Sequence, residues 1–300
     1  MYTKDDPRSQ LAPAATTSSV PAPTAFAAAD YLRFHDMPPQ ETGPGLQSWY
    51  GRGQNFLIAY SRAEAGAVLA REAQEDEYCV ILPDAASRVE VTARGETKTV
   101  AGNSLIIVPP GPSSIKVLAA GQVVRLVTTK AADLAAKCVN ADHYKEAHPN
   151  IPPFQPWPEP PSGYKIRSYS LDVAPEPGRF GRIWRCTTFM VNYLDRRGVR
   201  DASAVSPHYH DDFEQCSLCL EGEYEHHLRW PWTTNKNMWR DDDHERVGAP
   251  SVTIIPPPSI HTSVSLNPAG NQLVDIFSPP RVDFSNKKGW VLNADEYPMP

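Results

Sequence analysis

An all-β fold in two barrel-like halves is what this sequence predicts, and three observations point to it. Proline is abundant, at 31 of 300 residues, and it breaks helix interiors while suiting turns and strand starts. Short runs rich in Val, Ile and Leu recur between clusters of Pro, Gly, Asp and Asn from about residue 49 onward. The runs of the first half also reappear, in the same order, in the second.

Residues 1–45 read as a flexible arm. The Ala/Pro/Ser/Thr composition of its first 30 residues cannot supply a packed face. The opening MYTKDDPRSQ has neither a basic start nor an unbroken apolar segment, so it is not expected to be a secretory signal. A first barrel is expected over 46–135, with strands at 55–60, 77–82, 88–91, 104–108, 115–118 and 122–128 and a helical turn over 131–142. Residues 136–163, proline-dense from 148 on, read as an extended connector. A second barrel is expected over 164–300, with strands at 164–173, 183–194, 215–230, 251–255, 262–266 and 272–277.

The halves echo each other at three places. Glu77-Tyr78-Cys79-Val80-Ile81-Leu82 aligns with Glu214-Gln215-Cys216-Ser217-Leu218-Cys219. The stretch from Gly102 to Pro109 aligns with that from Gly248 to Pro256, and Gln122-Val123-Val124-Arg125-Leu126 with Gln272-Leu273-Val274-Asp275-Ile276. The extra length of the second copy falls in the polar, aromatic loop at 231–246.

Composition narrows the function. A net charge of −6 and a pI near 5.9 argue against nucleic acid, which needs a basic stripe, and against an anionic membrane surface. No run of 18 apolar residues is present to span a bilayer. Five cysteines, an odd number, suit a reducing cytoplasm better than a disulfide scaffold. A small-molecule substrate and a homodimer are the partners this chain suits.

The strongest chemical signal is Pro207-His208-Tyr209-His210-Asp211-Asp212-Phe213-Glu214-Gln215, followed by Gly222. On a strand, residues i and i+2 share a face about 6–7 Å apart, so His208 and His210 can converge on one ion. His261, after the stiff Pro256-Pro257-Pro258 turn, supplies a distant third imidazole. Glu214 or Gln215 supplies an oxygen ligand. Strand parity with the two histidines favours Glu214, and glutamine would leave the ion more Lewis-acidic.

This pair of motifs resembles those of the cupin superfamily: His-x-His, a Glu or Gln, and a Gly, then a Gly, a Pro and a His. They fall on His208, His210, Glu214 or Gln215 and Gly222, then on Gly248, Pro256 and His261, with Ser206-Pro207 where a glycine usually leads. The resemblance implies a bicupin: two jelly-roll-like, double-stranded β-helix barrels, with one divalent transition metal in the second. Fe(II) is the first expectation; Mn(II), Ni(II) or Zn(II) would also suit. It implies a metal-dependent enzyme, first a non-haem Fe(II) dioxygenase acting on a chelating aromatic diol, hydroxy acid or diketone. A non-redox isomerase, lyase or decarboxylase on a sugar acid or small carboxylate is the alternative, and a binding protein without turnover the third. The first barrel holds Arg71, Ala73, Glu77 and Ser114 at the equivalent positions, so it is expected to be metal-free.

Other residues are weighed beside this set. His226, His227 and Arg229 are candidate catalytic groups, and Arg185 a candidate partner for a substrate carboxylate. Tyr224, Trp230, Trp232 and Trp239 are candidates for a lid. Asp241-Asp242-Asp243-His244-Glu245 reads as a solvated loop, and Cys216 and Cys219, on opposite strand faces, as packing residues.

Overall fold

The computed structural model describes Pro7, residues 25–233 and residues 235–300. Most of residues 1–24, the bulk of the expected arm, lies outside the described residues. The strands are β1 (Asp30–Leu32), β2 (Glu41–Gly43), β3 (Leu46–Arg52), β4 (Phe56–Ala63), β5 (Val68–Arg71), β6 (Tyr78–Leu82), β7 (Arg88–Ala93), β8 (Glu96–Ala101), β9 (Ser104–Val108), β10 (Ser113–Ala119) and β11 (Gly121–Thr128). After the connector come β12 (Arg167–Ser170), β13 (Arg182–Arg185), β14 (Met190–Tyr193), β15 (Glu214–Glu221), β16 (Glu223–Arg229), β17 (Asp243–Gly248), β18 (Ser251–Ile255), β19 (Ile260–Ser265) and β20 (Gln272–Ser278). Two short helices follow the barrels, α1 (Ala132–Ala135) and α2 (Val282–Ser285).

Each barrel is a large sheet facing a small one. The first pairs β12-β9-β6-β11-β4-β3-β2 with β5-β10-β7-β8; the second pairs β1-β18-β15-β20-β14-β13 with β17-β16-β19. The order β9-β6-β11-β4-β3 matches β18-β15-β20-β14-β13, so the echoed segments hold the same places in the two large sheets. Gly222 makes the turn between β15 and β16 at φ +80°, where a Cβ would stand 2.3 Å from Asn271 Oδ1.

Strand alternation decides which side chains face where. Along β6, Tyr78, Val80 and Leu82 fill the first barrel, whereas Cys79 and Ile81 point outward. Along β15, Cys216 and Leu218 point outward in the same way. These outward faces form one buried core with Ile58, Leu126, Ile254 and Ile276, so the two large sheets pack on each other. Each fully buried aliphatic side chain there contributes about 1.5–3 kcal/mol relative to exposure.

Two sequence expectations are corrected. Residues 25–45 are not part of a free arm: β1 pairs with β18 of the second barrel, Phe26 is buried against Leu228 and Trp230, and β2 pairs with β3 of the first barrel. The boundary at 164 is also crossed, because β12 completes the first barrel's sheet beside β9. Composition misses both, since an edge strand needs only three or four residues once a neighbour supplies its hydrogen bonds. Asp243–Gly248, which overlaps the solvated loop expected at 241–245, is strand β17, paired along β16.

The interface carries a reciprocal polar clasp. Glu77, at the mouth of β6, accepts from Thr187 N at 3.2 Å, Thr187 Oγ1 at 2.9 Å and the Tyr297 hydroxyl at 2.8 Å, all in the second barrel. Glu214, at the start of β15, accepts from Gln54 N at 2.7 Å and Asn55 N at 2.8 Å in the first. Gly53 permits that approach, since a Cβ there would lie 2.7 Å from Glu214 Oε1. Burial pushes the Glu77 carboxyl above its ordinary value, against the opposing pull of its donors. The folded chain therefore holds this proton more tightly than the unfolded chain, and stability falls as pH rises from the ordinary carboxylate range through the raised value. Glu77→Ala should cost about 1–3 kcal/mol in urea unfolding, by orphaning its donors. Glu77→Gln should retain most of the stability and flatten that part of the pH profile; an unchanged profile would contradict the assignment.

Candidate metal centre

His208 and His261 meet where an isolated antiparallel bridge joins their backbones, with N–O distances of 3.1 and 2.8 Å. Their ring centroids are 4.4 Å apart, and those of His210 and His261 are 5.1 Å apart. His210 lies just before the bend at 211–213 and stacks on Phe213 at 4.0 Å. The three sequence-predicted imidazoles are thus brought together inside the second barrel.

The oxygen donor beside them is Gln215, and the expectation favouring Glu214 is corrected. Gln215 Oε1 is 3.1 Å from His210 Nε2 and 3.2 Å from His261 Nε2. The bend breaks strand parity between His210 and β15, so Gln215 and Ser217 turn into the barrel while Glu214 turns to the interface clasp. Burial raises the Glu214 carboxyl to about 7, opposed by the Gln54 and Asn55 N–H groups.

Backbone carbonyls orient the three rings. His208 Nδ1 is 3.0 Å from Ser206 O, His210 Nδ1 3.0 Å from Phe213 O, and His261 Nδ1 3.0 Å from Ser259 O. A carbonyl oxygen only accepts, so each Nδ1 carries a proton, and in a neutral ring Nε2 is then the acceptor. Gln215 Nε2 donates toward Asp275 Oδ1 at 3.3 Å and Ser217 Oγ at 3.4 Å, which turns its carbonyl oxygen to the imidazoles. The Nε2 atoms of His210 and His261 therefore converge on one amide oxygen. Burial, then His261 and Arg281, hold His210 well below the usual histidine range. Imidazoles whose Nδ1 is held by a backbone carbonyl are the ligand arrangement of protein metal sites, and the residue types gathered here fit a divalent transition ion. Among the described residues no group of three or more His, Cys, Asp or Glu side chains forms a metal cluster; the convergence here depends on the amide of Gln215.

A cavity of about 470 Å³ opens beside the cluster, bordered by His208, Gln215, His261 and Ser263, with Arg197 and Arg200 on its wall. Its volume suits a small ligand. The equivalent place in the first barrel is lined differently. Tyr78 replaces Gln215 and closes on Ser113 at 3.0 Å, and Arg71 is paired with Asp133.

The remaining candidates separate by strand face. His226 is fully buried, with Nδ1 2.7 Å from Ser263 Oγ and no partner at Nε2; burial, His261 and His227 lower it to about 3. His227 and Arg229 face outward, Arg229 onto Asp242, so neither reaches the cavity. Arg185 is buried on the Tyr297 carbonyl at the C-terminal tail. Of the aromatic lid, only Tyr224 borders the cavity: Trp230 is core, and Trp232 and Trp239 stack on each other at 4.4 Å. The lone pairs on Ser263 and Asp275, which complete the polar lining, gave no sequence motif. Cys216 and Cys219 are both buried and free, in different clusters.

No helix among the described residues is long and apolar enough to cross a membrane. No protein-family model matches the chain, and no curated protein matches it. Solved structures do. Oxalate decarboxylase of Bacillus subtilis, in a study of its Mn(II) centres, aligns with a TM-score of 0.53 at 14% identity over 82% of this chain and 76% of its own. The Lactobacillus farciminis oxalate decarboxylase formate complex aligns with 0.53 at 13% identity over 88% of each chain. AerE of Microcystis aeruginosa aligns with 0.53 at 8% identity over 85% of this chain and 99% of its own. At these identities the likeness is one of fold, and it is the two-barrel cupin fold.

Ion-binding measurements separate the two neighbouring residues. Gln215→Ala should weaken divalent-ion affinity at least about 10-fold with little loss of stability. Glu214→Ala should instead cost about 1–3 kcal/mol of stability and leave ion stoichiometry unchanged. The reverse pattern would contradict the geometry.

Proposed function

We propose that this bicupin is a metal-dependent enzyme that binds a small, oxygen-chelating organic acid on one divalent transition ion in its second barrel. We further propose that it acts as a decarboxylase or related lyase. The observation that carries the reading is the donor set: three imidazoles, His208, His210 and His261, and the amide of Gln215, with no carboxylate or thiolate among them. When bound, the ion would supply Lewis acidity undiminished by a charged ligand, which favours an anionic substrate.

The surrounding residues support an acid as the ligand. Arg197 borders the same cavity as the imidazoles, and guanidinium groups pair well with carboxylates, while Arg200 on the same wall donates to Ser263 O, Ala204 O and Ser206 Oγ. Asp275, the carboxylate nearest Gln215, is held by Ser217 Oγ at 2.7 Å and orients the amide. His226 stays neutral and fixes the Ser263 hydroxyl at the cavity wall. The decarboxylase reading draws on the two oxalate decarboxylases that share the fold, and is an argument by analogy. Mn(II) is the first ion to load, since one of those proteins is described with Mn(II) centres; Fe(II) has no comparable support.

The test is a panel of small dicarboxylic, keto and hydroxy acids with protein loaded with Mn(II) or Fe(II), followed by CO2 release and oxygen uptake. CO2 release without net oxygen consumption is the expected result. Stoichiometric oxygen uptake with Fe(II) would replace the lyase by a dioxygenase, and stoichiometric ligand binding without turnover would make the chain a binding protein. The paired substitution His208→Ala/His210→Ala should abolish Mn(II) binding and turnover while leaving a folded chain by circular dichroism.

A further inference from the structure

We infer a second transition-metal site on the outer face of the second barrel, formed by His227 and His244 with Glu225 behind it. β16 and β17 pair in the register that sets His227 directly opposite His244. Their Nδ1 atoms are 2.6 Å apart, with ring centroids 4.9 Å apart. Directly opposed residues on one sheet face have Cβ atoms about 4.5–5.5 Å apart, close enough for two imidazoles to reach a common point without moving the backbone. Two facing ring nitrogens need a proton or a cation between their lone pairs.

Glu225 stands behind His227. It lies two residues before His227 on the same face, and its Oε2 is 3.5 Å from His227 Nε2. A carboxylate there favours the proton on Nε2 and leaves the Nδ1 lone pair toward His244, as in carboxylate–histidine–metal sites. Glu225 is steadied by Arg246 Nε at 3.3 Å. The His227 side chain is 30% exposed and His244 is exposed, so water can complete the coordination shell. Two imidazoles with water suit Cu(II), Ni(II) or Zn(II) and disfavour Mn(II). The site shares no residue with the barrel cluster and faces the opposite way, so it stands apart from the proposed enzyme activity.

Chelator-treated protein is titrated with Zn(II) alone, by equilibrium dialysis and by NMR of the histidine ring signals. In a His208→Ala/His210→Ala background, one Zn(II) per chain should remain, with shifts at His227 and His244. Adding His227→Ala or His244→Ala should remove it, and Glu225→Gln should weaken it about 10-fold. His244→Ala in the otherwise unaltered chain should lower Zn(II) stoichiometry by one, which keeps the test open if the double-variant background unfolds. Unchanged stoichiometry on loss of either histidine, or bound Zn(II) that leaves both ring signals in place, would overturn the site. Failure of the barrel centre would leave these readouts unaltered.

Discussion

The contact between the two large sheets is the constraint on which the rest depends. Its apolar part, with Ile58, Leu126, Leu218 and Ile276, supplies most of the adhesion. Its polar part fixes the alignment, because Glu77 and Glu214 each reach from a central strand into a loop of the opposite barrel. A buried carboxylate that needs specific N–H partners tolerates few relative placements of the sheets. With Glu214 fixed on one face of β15, strand alternation delivers Gln215 to the other, inside the second barrel.

The two barrels share a strand order but differ in what lines them. Val80, Val89, Ile106 and Ile115 close the first interior, and the hydroxyls of Tyr78 and Ser113 satisfy each other at the position corresponding to the histidine cluster. The second interior keeps Gln215, Ser217, Ser263 and Asp275, whose polar atoms line a space instead of filling it. Hydrogen bonds among Gln215, Ser217 and Asp275, and between His226 and Ser263, fix this polar wall around the hollow.

Much of this was legible in the sequence. Central strands such as β6, β9 and β18 announced themselves as short apolar runs between turn residues, and the three imidazoles followed from two motif fragments with stereotyped spacing. The edge strands were only partly legible. Nothing in Asp30–Leu32 or Glu41–Gly43 marks a strand locally, and Arg167–Ser170 lies within the expected strand at 164–173 but pairs with β9 of the first barrel, a partner no local pattern shows. The choice between Glu214 and Gln215 failed for a related reason: parity was counted through residues 211–213, where the chain bends and the count restarts. His227 and Arg229 fell outside the cavity because strand alternation on β16 turns only His226 inward.

The exchanged edges have a consequence for the chain's history. β1 belongs to the second barrel although it precedes the first, and β12 belongs to the first although it follows the proline-dense connector. A gene cut at that connector would therefore yield two incomplete products, each missing one strand and displaying an unpaired ladder prone to aggregation. Once such a swap had arisen after duplication, the halves could no longer be inherited or recombined separately, and selection would act on them as one indivisible unit.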